Sequence, residues 1–237
     1  LRAEDAEPQG RVRLDLPAAF GRSQVMPIIL RCIQDYPRLV PHISFTDRFI
    51  DPLQEGVDIV VTIGGSQVWP DALGHRYLGR EWHVFCASPM YLAKHGIPMT
   101  DRDLEHHQCI AYGWPDGKLS PWNFAGERPG ETVRKQVSPA LVVGDGEGLV
   151  AAVSAGCGIA QLPSWLIQRQ LEEGTLIEVL AHLATDGMVI NLAWQKSREK
   201  LPKVSALLEA LAANLCQPVE GKPRHGHRPE VNARKAV

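Results

Sequence analysis

Between Gly10 and Thr62 the hydrophobic period switches repeatedly between two and about three and a half, and this succession restricts the fold more than any other feature of the chain. Val12, Leu14 and Leu16 alternate with Arg11, Arg13 and Asp15, the period of a strand with one covered face. From Arg22 onward Val25, Ile28, Ile29, Cys32, Ile33 and Tyr36 form one stripe of an α-helix, with Pro27 expected near its first turn and Pro37 stopping it. Leu39, Ile43 and Phe45 mark a second strand, and Pro41 points to a sheet edge or an early bulge. A short helix is expected from Arg48 to Glu55, ended by Gly56. The β-branched run from Val57 to Thr62 then suits a strand covered on both faces. Strand, helix, strand, helix, strand at this spacing calls for a parallel α/β sheet.

The alternation continues less regularly. Strands are expected at Trp82 to Ser88, Cys109 to Tyr112, Ile159 to Leu162, Leu176 to Val179 and Val189 to Trp194. Helices are expected at Met90 to His95, around Leu149 to Val153, at Pro163 to Leu171, and where Val204, Leu207, Leu208, Leu211 and Leu215 share a face. Gly113 to Gly130 is expected to form surface turns and a short strand.

With 237 residues, 44% of them hydrophobic, the chain can bury a sizeable core. No apolar run approaches the roughly 20 residues of a membrane span, and the start has no basic-then-apolar leader. The chain does not open on Met, so a preceding segment is expected. The five cysteines, Cys32, Cys86, Cys109, Cys157 and Cys216, are odd in number and lack CxxC spacing, which suits a reducing compartment and a cytoplasmic location. From Gln217 onward, five Lys/Arg stand against two acids in a tail expected to be disordered (216–237). The body before it holds 20 basic and 25 acidic residues, a net −5, and makes a poor nucleic-acid surface.

Five segments carry a resemblance. They are GRVRLDLPAAFG (Gly10 to Gly21), DYP (Asp35 to Pro37), SFTDRFIDPLQEGVDIVVTIGG (Ser44 to Gly65), CASPMYLAKHG (Cys86 to Gly96) and GCGIAQLP (Gly156 to Pro163). In this order the chain, from about Gly10 to Leu215, resembles the effector-binding domain of a LysR-type transcriptional regulator.

The resemblance implies an α/β, two-lobed fold of the type II periplasmic-binding-protein kind, with two parallel-rich sheets joined by crossing strands. Crossings are expected near Cys86 to Pro89 and Gln161 to Ser164. Lobe one would be residues 10–85 plus 165–215 and lobe two residues 86–164, with residues 1–9 as the end of a linker from an absent winged helix-turn-helix domain. A small effector between the lobes would control DNA binding by the full-length protein. That protein alone would engage promoter DNA and RNA polymerase, as a homodimer or homotetramer, with no membrane and no cofactor. A solute-binding protein of a transporter shares the fold and is the alternative.

In such folds the ligand crevice lies beyond the carboxyl ends of the strands. The matching residues are Pro17, Ala18, Ala19, Phe20, Thr46, Thr62, Ile63, Gly64, Tyr112, Asp145 and Gly146. Backbone N–H groups at the helix starts after Phe20 and Asp145 could hold a carboxylate. The chain departs from the family at Thr62, where many members carry Arg; Arg22 or Arg48 could substitute, or each could be a solvated surface cation. No catalytic constellation stands out, and no enzyme activity is expected. Glu105-His106-His107-Gln108-Cys109 lacks the i, i+4 spacing of a helical zinc site, so no metal is expected there.

Overall fold

A computed structural model describes residues 7–65 and 68–215. The tail from Cys216 and most of the linker segment lie outside the described residues. Strand β1 (Gly10–Leu16) runs parallel to both β2 (Leu39–Phe45) and β3 (Ile59–Ile63). β2 ends the sheet order, which leaves Pro41 at an edge where its missing N–H is tolerated. Ile59 and Val61 of β3 join one core while Val60 joins a second on the opposite face, as expected of a strand covered on both sides.

The helix after β1 starts earlier than its apolar stripe suggests. α1 (Ala18–Phe20) continues through a π-helical turn, Gly21–Val25, into α2 (Met26–Asp35). Pro27 is therefore in the interior of one continuous helix rather than in its first turn. A proline there removes a donor and crowds the carbonyl four residues back, and the wider π turn before it accommodates both. Gly21 lets this helix sit close on the sheet, since a Cβ there would come within 2.7 Å of Leu16 Cβ and 2.9 Å of the Phe45 ring. The helix expected from Arg48 to Glu55 is instead a run of turns over 52–56. Asp51 Oδ1 accepts the Leu53 N–H at 2.9 Å, a local side-chain bond that competes with helix formation, and Pro52 follows it.

The lobes are joined by β4 (Leu73–Ala87) and β11 (Thr185–Gln195), which pair antiparallel from Leu73 to His83. Beyond that point β4 pairs with β9 (Ile159–Pro163) and β10 (Ile177–Val179). Leu78 and Ile190 belong to the core of lobe one, whereas Val84 and Ala184 belong to a core of lobe two. The crossing thus falls between these residues on each strand, and a register irregularity between Asp186 and Val189 lies at the seam. Hydrogen bonding continues through the crossing, so the two sheets merge into one mixed sheet of order β2-β1-β3-β11-β4-β9 and onward.

In lobe two, β5 (Cys109–Tyr112) lies parallel between β9 and β8 (Pro139–Val143), while β6 (Trp122–Ala125) and β7 (Thr132–Lys135) form a hairpin. One face packs Phe85, Trp122 and Phe124 against Tyr91 of α3 (Pro89–His95). The other packs Ile110 and Leu162 against α4 (Gly146–Ser154) and α5 (Ser164–Glu172). α6 (Pro202–Leu215) covers lobe one beside α2, with Val204, Leu207 and Leu211 fully buried.

This packing corrects the expected lobe limits. Ile167 of α5 and Leu176 share a core with Ile110 and Leu149, so the segment after Ser164 stays in lobe two and returns to lobe one only along β11. The crossings are long strands rather than the short segments at Cys86 to Pro89 and Gln161 to Ser164.

Candidate functional site

The carboxyl ends of β1, β2, β3 and β5 and the start of α4 converge on the seam, where they enclose a cavity of about 170 Å³. Of the residues the sequence singles out, Pro17, Ala19, Phe20, Thr46, Thr62, Ile63, Tyr112 and Gly146 line it. Three do not: Ala18, Gly64 and Asp145. The Ala18 N–H donates to Asp47 Oδ1 at 2.9 Å. Gly64, at φ 76°, makes a tight turn and donates its N–H to Val189 O at 2.7 Å. Asp145 caps α4 by accepting the Gly148 N–H at 2.7 Å.

Sequence reasoning missed the polar floor of the cavity. Glu81 and His83, 4% and 9% exposed, lie on β4 just where it crosses between lobes. Glu81 Oε2 faces His83 Nε2 at 3.0 Å, and Glu81 Oε1 accepts the indole N–H of Trp165 at 3.1 Å. His83 Nδ1 is left buried without a partner among the described residues. Asp15, 8% exposed, accepts the Ser44 hydroxyl at 2.5 Å; burial pushes its carboxyl above the ordinary range, partly offset by that bond and by Arg48. The alternation of β1 grouped Asp15 with Arg11 and Arg13 on the uncovered face, and only the structure shows it buried at the strand's end. Glu81 gave no signal in the sequence either, since it precedes the apolar run from Val84 that marks the strand.

The walls are aromatic. Phe20 and Trp165 meet edge to face at 5.1 Å between centroids, and Tyr112 and Trp114 do so at 5.0 Å. The Tyr112 phenol is pushed up to about 12 by burial and by the negative charges of Asp47 and Asp145, so it stays a neutral hydroxyl at any ordinary pH. Thr62 Oγ1 is buried and has no hydrogen-bond partner among the described residues. Arg22 is outside the lining and bridges to Glu147 at 2.8 Å, and Arg48 lines the cavity but is held by Glu55 through two bonds of 2.8 Å.

Comparison with known proteins agrees with this architecture. The family model "LysR substrate binding domain" matches residues 5–216. An uncharacterized HTH-type transcriptional regulator of Haemophilus influenzae is 32% identical over 199 residues, covering 84% of this chain and 67% of that protein. The HTH-type transcriptional activator TtdR of Escherichia coli is 30% identical over 224 residues, covering 93% and 69% respectively. The structure of CrgA, a LysR-type transcriptional regulator from Neisseria meningitidis, superposes with a TM-score of 0.77 at 25% identity, over 89% of this chain and 70% of that one. The full-length Vibrio cholerae virulence activator AphB supports the fold at a TM-score of 0.74 and 22% identity, over 89% and 71%. With its two lobes, crossing strands and crevice, the chain belongs to the substrate-binding domain family of LysR-type transcriptional regulators.

Proposed function

We propose that this domain senses a small molecule in the cavity between its lobes and passes the result to the DNA-binding part of a cytoplasmic transcription factor. The observation that carries this reading is the cavity itself: it lies on the seam, its walls come from both lobes, and its polar floor is on a crossing strand. A ligand that contacts both lobes binds one interlobe arrangement better than another. That difference in affinity is what an allosteric shift requires. The kinship with transcriptional regulators favours this reading over a transporter's solute-binding protein.

The regulator would act as a homodimer or homotetramer, with α2 as part of the interface. Leu30 on that helix is 51% exposed, which leaves apolar surface beside the buried stripe. Promoter DNA and RNA polymerase would be engaged through the full-length protein. No helix among the described residues is long and apolar enough to cross a membrane.

A thermal-shift screen of small carboxylates, amines and neutral aromatics, repeated on a Gly146→Phe variant, tests the assignment. Gly146 lines the cavity, and a Cβ there already comes to 3.2 Å from Leu166 and 3.6 Å from Ala19, so a phenyl ring fills the space between lobes. Compounds that stabilise the wild type should lose their effect in a folded Gly146→Phe protein. Retention of the same shifts would place the site elsewhere.

A further inference from the structure

From the carboxylates and aromatic rings that line the cavity we infer the effector's chemical class: an organic cation, an amine or ammonium head on an aromatic or apolar body, rather than a carboxylate. This rests on the cavity being the effector site.

The cavity's one guanidinium is already paired, and two of its other donors are engaged within the protein. The Trp165 indole N–H is on Glu81, the side-chain amide of Gln161 donates to Asn123 O, and the Arg48 guanidinium is on Glu55. At the two helix starts, where an incoming carboxylate would seek backbone N–H groups, the chain has placed carboxylates of its own. Asp47 takes the Ala18 N–H and Asp145 takes the Gly148 N–H, so a second anion would meet like charge at both.

Acceptors, by contrast, are left over. Asp15 receives one hydrogen bond, on Oδ2, and its Oδ1 has no partner among the described residues. His83, nine-tenths buried, faces Glu81 through Nε2 and leaves Nδ1 without a partner among the described residues. Asp15, Asp47 and Glu81 give the lining three carboxylates against the single paired guanidinium of Arg48. The facing aromatic rings of Phe20, Trp165 and Tyr112 suit the body of such a ligand and also attract a cation.

Three probes of similar body and different head separate the possibilities: phenethylamine, phenethyl alcohol and hydrocinnamate, each titrated calorimetrically into wild type, Asp15→Asn and Gly146→Phe. The amine should bind at least about tenfold more tightly than hydrocinnamate, equivalent to about 1.4 kcal/mol. Asp15→Asn should weaken the amine about tenfold while leaving the alcohol nearly unchanged, since the amide keeps the shape and loses the charge. Preference for hydrocinnamate, no binding of the amine at millimolar concentration, or amine affinity unmoved in Asp15→Asn each overturns the cation assignment. The third variant tells the two readings apart. Hydrocinnamate binding that Gly146→Phe abolishes leaves the cavity as the site and removes the class, whereas amine binding that survives Gly146→Phe removes the site itself.

Discussion

Arg22 of lobe one and Glu147 of lobe two are joined by an ion pair of 2.8 Å, with a second contact from Arg22 Nε at 3.1 Å. Phe49 and Trp114 stack between the same lobes at 6.5 Å. Both contacts link the two lobes in addition to the crossing strands. Arg22 and Glu147 are each about half exposed, so solvent screens the pair and its contribution is small. Replacing Arg22 by Gln should weaken ligand binding less than about fivefold, with the difference fading as salt is raised. Binding curves at low and high ionic strength check this, and a large salt-independent loss would show that Arg22 touches the ligand.

Thr62 should show opposite effects on stability and on binding. Its buried hydroxyl has no partner, so Thr62→Val removes an unmatched polar group while keeping the shape. The ligand-free protein should be as stable as the wild type or more so. Ligand affinity should fall by about 0.5–1.5 kcal/mol if the effector uses the hydroxyl. Thermal melts with calorimetry on one variant test both halves.

Asp15 predicts a pH dependence. Its carboxyl is held above the ordinary range in the folded protein chiefly by burial, against the opposing effects of the Ser44 hydroxyl and Arg48, with Glu55 acting in the same sense as burial. A raised folded value means that the folded state binds its proton more firmly than the unfolded chain does. The associated stability is present below the unfolded value and lost as pH rises through the folded value. Asp15→Asn, which never ionises, should therefore be more stable than the wild type at neutral pH, with the gap narrowing as pH falls toward the ordinary carboxylate value. Urea melts across that range check the sign, and a destabilised variant at neutral pH would contradict it.

Leu30→Arg tests the interface. A charge is costly inside an interface but tolerable on a solvated helix face, and Leu30 is exposed within the subunit. Light scattering at micromolar concentration should find an oligomeric wild type and a folded, monomeric variant. A monomeric wild type, or a variant that still associates, would remove α2 from the interface.

The sequence revealed most where a residue's neighbours are close in the chain. Val12, Leu14 and Leu16 showed their burial through period and Ile59 to Val61 through an unbroken β-branched run, and the loops after β1, β2 and β3 and the one leading into α4 could be placed at the crevice from strand direction. What stayed hidden depends on distant partners. β7 is exposed along its length and β8 largely so, leaving no apolar alternation to read. The crossing point on β4 is set by which strand pairs with it on each side of His83, and nothing local to Arg80, Glu81 or Trp82 encodes that. For the same reason Ile167 looked like a lobe-one residue until its contacts with lobe two were seen.

Amide hydrogen exchange of the domain, with and without the strongest compound from the thermal-shift screen, is the most direct test of sensing at the seam. Exchange should slow at 18–20, 62–64 and 146–149, the segments that meet at the cavity from both lobes, while α6 on the far side of lobe one changes little. Protection confined to α6 or to a single lobe, with those three segments unchanged, would contradict the cavity as the place where the effector is read.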